Sequence, residues 1–254
     1  MNDLLSRSAL KRNVKDLFKG NWITAIKANI VQIIIGFFGG ITISGAMIGI
    51  SLIVSRRHFM YTTNDRYSGH SGFGGGNSAM SFVFQAVLTF IIVGAQFGLL
   101  DWLHDHTKAP EFKTSFQIFT RNKFIPALAM YLFQWIFIFG WTLLFVIPGI
   151  IKRFSYSQTY FLYKAASDRG ISDQFEYYDY VTFSRRLMDG NKGRLFVLNL
   201  SLIGWLLLSI VSLGIGFIWF VPYQNAIYSE FFRDLADKQG SQKVPEIFGK
   251  VETD

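Results

Sequence analysis

Across residues 30–38 and again across residues 195–213 the chain runs without a charged side chain. A helix lying on a soluble core would interleave charges at nearly every turn, so uncharged runs of this length point to lipid. Composition agrees, because half of the residues are hydrophobic and only 17% are charged, too few to furnish a soluble surface. The expected fold class is all-α: a polytopic helical membrane bundle with amphipathic interfacial helices.

Cysteine is absent, which removes disulfides, thiolate metal sites and cysteine nucleophiles. The first twenty residues are polar and basic. The apolar core after them is too long for a secretory signal and lacks a small-residue cleavage site, so we expect the N-terminus to be retained. A net charge of +8 lies mostly between the apolar segments. That placement fits the cytoplasmic enrichment of Lys and Arg and an attraction to anionic lipid headgroups at the cytoplasmic face, and it argues against nucleic acid as a partner.

Residues 1–21 read as an amphipathic cytoplasmic helix on the membrane surface, with Leu10, Val14, Leu17 and Phe18 on one face and Lys11, Arg12, Lys15 and Lys19 elsewhere around it. Residues 22–235 form the transmembrane domain, and residues 236–254 a polar cytoplasmic tail expected to be unstructured. Spans are expected at about 22–54, 80–100, 124–145, 148–166, 195–212 and 215–232. Between the first two, the glycine-rich stretch 71–77 reads as a linker, since it lacks the Gly-Lys-Ser/Thr ending of a phosphate-binding loop. Phe112, Phe116 and Phe119 repeat at four and three residues, the mark of a short surface-lying helix.

The alternative is four spans, with residues 152–194 as one external loop. It leaves eleven Lys and Arg outside against thirteen inside, which is no bias. Turns at Pro148-Gly149 and Gly214-Ile215-Gly216 give six spans instead and carry Lys164, Arg169, Arg185, Arg186, Lys192 and Arg194 inside, nineteen against five, with both termini cytoplasmic. Six spans is therefore the preferred topology. The two hairpins also echo each other, Gly140-Trp141-Thr142-Leu143-Leu144 against Gly204-Trp205-Leu206-Leu207-Leu208.

The segment Ser184-Arg185-Arg186-Leu187-Met188-Asp189-Gly190-Asn191-Lys192, continuing through Leu195-Phe196 to Gly204-Trp205, resembles the multi-pass membrane proteins of Gram-positive bacteria grouped as domain of unknown function family 975. So do Leu17-Phe18-Lys19-Gly20-Asn21-Trp22, Ile147-Pro148-Gly149-Ile150-Ile151-Lys152 and Pro222-Tyr223 with Phe231-Phe232-Arg233-Asp234-Leu235. The chain departs from the pattern at Lys164-Ala165-Ala166-Ser167-Asp168, where an apolar approach to Asp-Asn-Pro is expected. The resemblance implies a bacterial plasma membrane protein and supplies no activity.

Polar side chains inside lipid are the default place to look for function, because leaving them unpaired in hydrocarbon is costly. Lys152, Arg153 and Gln158 of the fourth span, with Tyr223, Gln224, Asn225 and Glu230 of the sixth, make a candidate polar groove if the two helices face each other. The small-residue pairs Gly36/Gly40, Gly45/Gly49 and Gly94/Gly98 are candidates for close helix packing, within the chain or against a second copy. His104-Asp105-His106 has metal-ligand residue types, but nothing in the sequence completes a site, and it reads as a polar cap on the second span.

No catalytic motif is found, so the expectation is a non-enzymatic membrane protein without cofactor or metal. It would bind a lipid or peptide in the groove between the hairpins, or scaffold a membrane partner. A small transporter or permease-like protein is the second class. Protection against antimicrobial peptides is a third, to which no particular residue points.

Overall fold

A computed structural model of the chain describes residues 4–35, 37, 78–144 and 146–249, and among them there is no strand. The candidate packing glycines Gly36, Gly40, Gly45 and Gly49 lie outside the described residues, as does most of the first expected span. The helices are α1 (Arg7–Phe18), α2 (Trp22–Ala28), α3 (Ser78–His104), α4 (Arg121–Leu144), α5 (Val146–Ser155), α6 (Thr159–Asp168), α7 (Tyr177–Leu187), α8 (Lys192–Leu200), α9 (Ile203–Val211) and α10 (Phe217–Leu235). A 3-10 helix, Phe112–Phe119, joins α3 to α4.

Three stretches are long and apolar enough to cross a membrane: Phe82–His104, Asn122–Trp141 and Lys192–Val211. The first is 56% buried, the others 11% and 22%, so the latter two present most of their apolar surface outward. Val83 and Phe84 on α3, Trp135, Ile136 and Phe139 on α4, and Trp205, Leu207, Leu208 and Val211 on α9 are all exposed. Soluble monomers rarely expose contiguous apolar surface on this scale, and these helices are compatible with a membrane protein.

The fourth expected span is two ten-residue helices, α5 and α6, separated by a turn at residues 156–158. Pro148 and Gly149, expected as the first hairpin turn, lie instead in the first turn of α5. Proline is tolerated there because its missing N–H would find no helical partner anyway. The second reversal is where the glycines place it, between α9 and α10, with Gly214 at φ +91° and its N–H donating to the Ser209 carbonyl at 2.9 Å. A Cβ on Gly214 would also meet the Phe37 carbonyl oxygen at 2.7 Å.

The core gathers around the C-terminal half of α3. Phe97, Leu99, Leu100 and Trp102 pack with Leu10, Val14, Leu17 and Phe18 of α1 and with Phe231, Phe232 and Leu235 of α10. The apolar face of α1, expected to lie in the membrane surface, is covered by protein. All four of its apolar side chains are at most 5% exposed. Burial of such side chains is worth about 1.5–3 kcal/mol each. Polar contacts fix the docking: Asn13 Nδ2 donates to Glu230 Oε1 at 2.7 Å, and the Leu5 N–H to the Asp234 carboxylate at 3.0 and 3.1 Å.

The polar tail also differs from expectation. Residues 236–249 fold into Ala236–Gly240, Ser241–Lys243 and Pro245–Phe248, with Val244 and Ile247 buried. Arg186 pairs with Glu246 at 2.8 Å, and Arg169 stacks on Phe248 at 4.9 Å. Val244, Ile247 and Phe248 supply an apolar face too short to show as periodicity, yet sufficient once α6 and α7 offer a surface.

Gly94 and Gly98 serve contact within the chain. The 3-10 helix crosses α3 so closely that a Cβ on Gly94 would collide with the Ser115 carbonyl oxygen, and one on Gly98 with the Thr114 side chain. The three-residue period turns Ser115 and Ile118 inward and leaves Phe112, Phe116 and Phe119 exposed.

Candidate functional site

The buried side chain of Asn225 joins three elements. Its Nδ2 donates to Asn29 Oδ1 at 2.8 Å and to Gln32 Oε1 at 2.5 Å, and its Oδ1 accepts from Gln96 Nε2 at 3.2 Å. Ser229 Oγ donates to the Gln96 carbonyl at 3.0 Å, and Asn29 Nδ2 to that of Ala25 at 2.8 Å. Asn225 has its donors and acceptor engaged, so this cluster clamps the segment 29–32 that follows α2 to α3 and α10 and offers a ligand little. Asn29, Gln32 and Gln96 escaped the sequence reading because each is a lone amide in an apolar run. The one signal was that residues 29 and 32 share a helical face.

Glu230, fully buried, accepts the Arg233 guanidinium at 2.7 and 2.8 Å besides Asn13. Asp234 one turn on takes Arg194 at 2.9 Å and Lys238 at 3.2 Å. These carboxylates are docking posts for α1 and α8. Lys164, which breaks the family pattern, is 6% exposed and sits between Asp101 at 2.8 Å and Asp168 at 3.0 Å, tying α6 to the end of α3.

His104 Nδ1 lies 2.9 Å from the Leu100 carbonyl, and Asp105 accepts from Thr107 N–H at 3.0 Å and Oγ1 at 2.6 Å. Those short-range bonds hold the Asp105 carboxyl below its usual range. Among the described residues no three His, Asp or Glu side chains gather within reach of one metal ion.

Two pockets flank α5. One, of about 210 Å³, is a groove between α5, α8, α9 and α10, walled by Phe154, Phe196, Leu200, Leu206 and Phe220 and floored by Asn199 and Gln224. Beneath it the Tyr228 hydroxyl donates to Asn199 Oδ1 and lies 3.4 Å from Gln224 Nε2, within the field of Arg153. The other, of about 180 Å³, is lined by Trp141, Lys152, Tyr156, Tyr178 and Arg185 among others. Lys152 and Tyr156 are four residues apart on one helical face, and Phe154 points to the other side, so the pockets open on opposite flanks.

The seven candidate groove residues thus occupy several environments. Gln224 lines the first pocket and Lys152 the second, while Arg153 lines neither. Tyr223 is buried in the core, Asn225 lies in the amide clamp and Glu230 in the docking ladder. Gln158 is buried beside α7: its N–H donates to Ser184 Oγ at 3.1 Å, its Nε2 to Ser157 Oγ at 2.9 Å, and its Oε1 has no partner. Asn199 of α8 and Arg185 of α7 complete the pockets from elements that carry no candidate groove residue, and Tyr228, one turn after Gln224 on α10, ties the floor of the first together.

Comparison with known families adds one finding. Residues 132–239 match the model of a family described as protein of unknown function, DUF975. The matched region runs from α4 through α10 and holds both pockets. It also contains the Ser184–Trp205 segment and the Pro222-Tyr223 motif that carry the resemblance seen in the sequence. No curated protein matches the chain. No solved structure matches it either.

Proposed function

We propose that this chain is a six-pass, non-enzymatic protein of a bacterial plasma membrane, with both termini cytoplasmic, that binds a lipid acyl chain in the groove between its hairpins. The observation that carries the reading is the groove itself. Its walls are aliphatic and aromatic, its rim residues Leu200 and Ile203 are exposed, and these run on into the exposed apolar face of α9. A lipid chain can therefore slide in from the bilayer without crossing water, while Asn199 and Gln224 at the floor meet a polar linkage such as an ester.

Six passes rest on the charge count and on the apolar helices. The fourth pass would consist of α5 and α6 entering obliquely in two pieces, since α5 ends in Lys152 and Arg153 and the chain then breaks. Native mass spectrometry of the purified protein tests the groove. Leu206→Trp, which fills it, should remove retained phospholipid while leaving the melting temperature within a few degrees. Unchanged lipid retention in a folded Leu206→Trp variant would sink the proposal.

A further inference from the structure

We infer that the second pocket, on the opposite flank of α5, is a binding site for a phosphate group. Lys152 Nζ stands 4.3 Å from the centre of the Trp141 ring, and Tyr156 lines the same pocket. Arg185 of α7 closes the pocket, with Thr182 one turn before it and Tyr178 beyond. Lys152 also feels Lys192, whose nearest carboxylate oxygen, on Asp189, is 3.9 Å away.

No carboxylate lines this pocket, and among the described residues neither Lys152 nor Arg185 is paired with one. Two cations on neighbouring elements that are buried or half-buried are paired instead, Lys164 with two aspartates and Arg233 with Glu230. Lys152 and Arg185 share this pocket with no carboxylate between them, so their like charges repel, and the arrangement is stabilised by an anion they share. A guanidinium fork, an ammonium and a hydroxyl match the several oxygens of a phosphate better than the two of a carboxylate. The pocket, of about 180 Å³, has room for a phosphate.

The surroundings bear on its source. Trp141, Tyr156 and Tyr178 form the kind of aromatic cluster found at headgroup level, and Ile136, Phe139 and Ile151 nearby are exposed. A phospholipid could place its phosphate here with its chains against that surface, and a soluble phosphate ester could reach the same atoms from water. The site is separate from the acyl-chain groove and does not depend on it.

The test uses the full chain in non-ionic detergent and follows its melting temperature by tryptophan fluorescence. Probes are phosphatidylglycerol, phosphatidylcholine, and inorganic phosphate against chloride at equal ionic strength. Wild type should be stabilised by phosphatidylglycerol more than by phosphatidylcholine, whose choline masks the phosphate, with at least a tenfold loss of apparent affinity in Lys152→Gln/Arg185→Gln. That outcome assigns the phosphate to a lipid. Stabilisation by inorganic phosphate, lost in the same variant, assigns it to a soluble ester. Without probe the double variant should melt no lower than wild type, because it removes repulsion, and Lys152→Arg should keep the response.

Leu206→Trp should leave the phosphate response intact, which separates this site from the groove. The inference fails if the double variant answers every probe as wild type does, or if the distant, exposed Lys108→Gln abolishes the response equally.

Discussion

At Asn225 one side-chain amide answers three others, and replacing it with leucine leaves Asn29, Gln32 and Gln96 facing a methyl group. Buried polar groups stripped of partners cost about 1–3 kcal/mol each, reduced where a membrane-embedded unfolded chain finds substitutes. Asn225→Leu should therefore destabilise by about 2 kcal/mol or more in a reversible unfolding titration in mixed detergent. Gln158 gives the opposite case. Its Oε1 is buried without a partner, so Gln158→Met, which removes that acceptor at similar volume, should cost less than about 1 kcal/mol or stabilise. Equal losses at the two positions would contradict this reading of the amide cluster. Both residues are candidates in the sequence for the same reason, a polar side chain inside an expected span. Composition could not say which amide is satisfied, because that depends on partners up to 196 positions away.

Among the elements, the 3-10 helix and its glycine track make the sharpest comparison. Gly94→Ala should push the Phe112–Phe119 segment off α3, since its Cβ would collide with a backbone oxygen, of Ser115, that has no flexible end to yield. Overpacking of this kind typically costs about 1–3 kcal/mol. Gly204→Ala in α9 has open space around the new methyl, and helix propensity alone should raise stability by up to about 1 kcal/mol. Thermal melts of the two variants should move in opposite directions. Legibility followed element length. The long uncharged runs of α3, α4 and α8–α9 are sequence signals that need no knowledge of neighbours, and the glycine reversal at Gly214 is equally local. What α1 covers is not local: its apolar face reads the same whether lipid or α10 receives it, and the receiving surface is assembled from residues 97–103 and 220–235. The tail was illegible for a related reason, since Val244 and Ile247 are too few to mark a helix. Val244→Asp, placing a charge at a fully buried site, should detach residues 241–249 and break the Arg186–Glu246 pair, seen as faster proteolysis near the C-terminus.

For the whole molecule, one contact constrains which side of the bilayer each face occupies. Lys152 lies in the last turn of α5, near the tip of a hairpin, yet it shares a pocket with Arg185 of α7, a helix that the charge count assigns to the cytoplasm. A hairpin that crossed the bilayer upright would hold these two residues apart by much of the ~30 Å hydrocarbon thickness. Both constraints are met if the α4–α5 hairpin leans, so that Lys152 and Arg185 snorkel toward the same headgroup layer while residues 170–180 stay inside. The native chain has no cysteine, so single cysteines report position directly. In intact cells an impermeant maleimide should label Ser68→Cys in the polar stretch 55–78 and should not label Gln174→Cys until the membrane is opened. Labelling of Gln174→Cys from outside would return the chain to four spans. It would also place the Lys152 and Arg185 pocket at the outer face, where a phosphate would have to come from the outer leaflet or the medium. The substitution Lys152→Leu separates the leaning hairpin from the upright one. Losing the snorkelling charge should let α5 sink, slowing maleimide modification of a cysteine introduced as Tyr178→Cys by several-fold if the two helices share a headgroup layer, and leaving it unchanged if they do not.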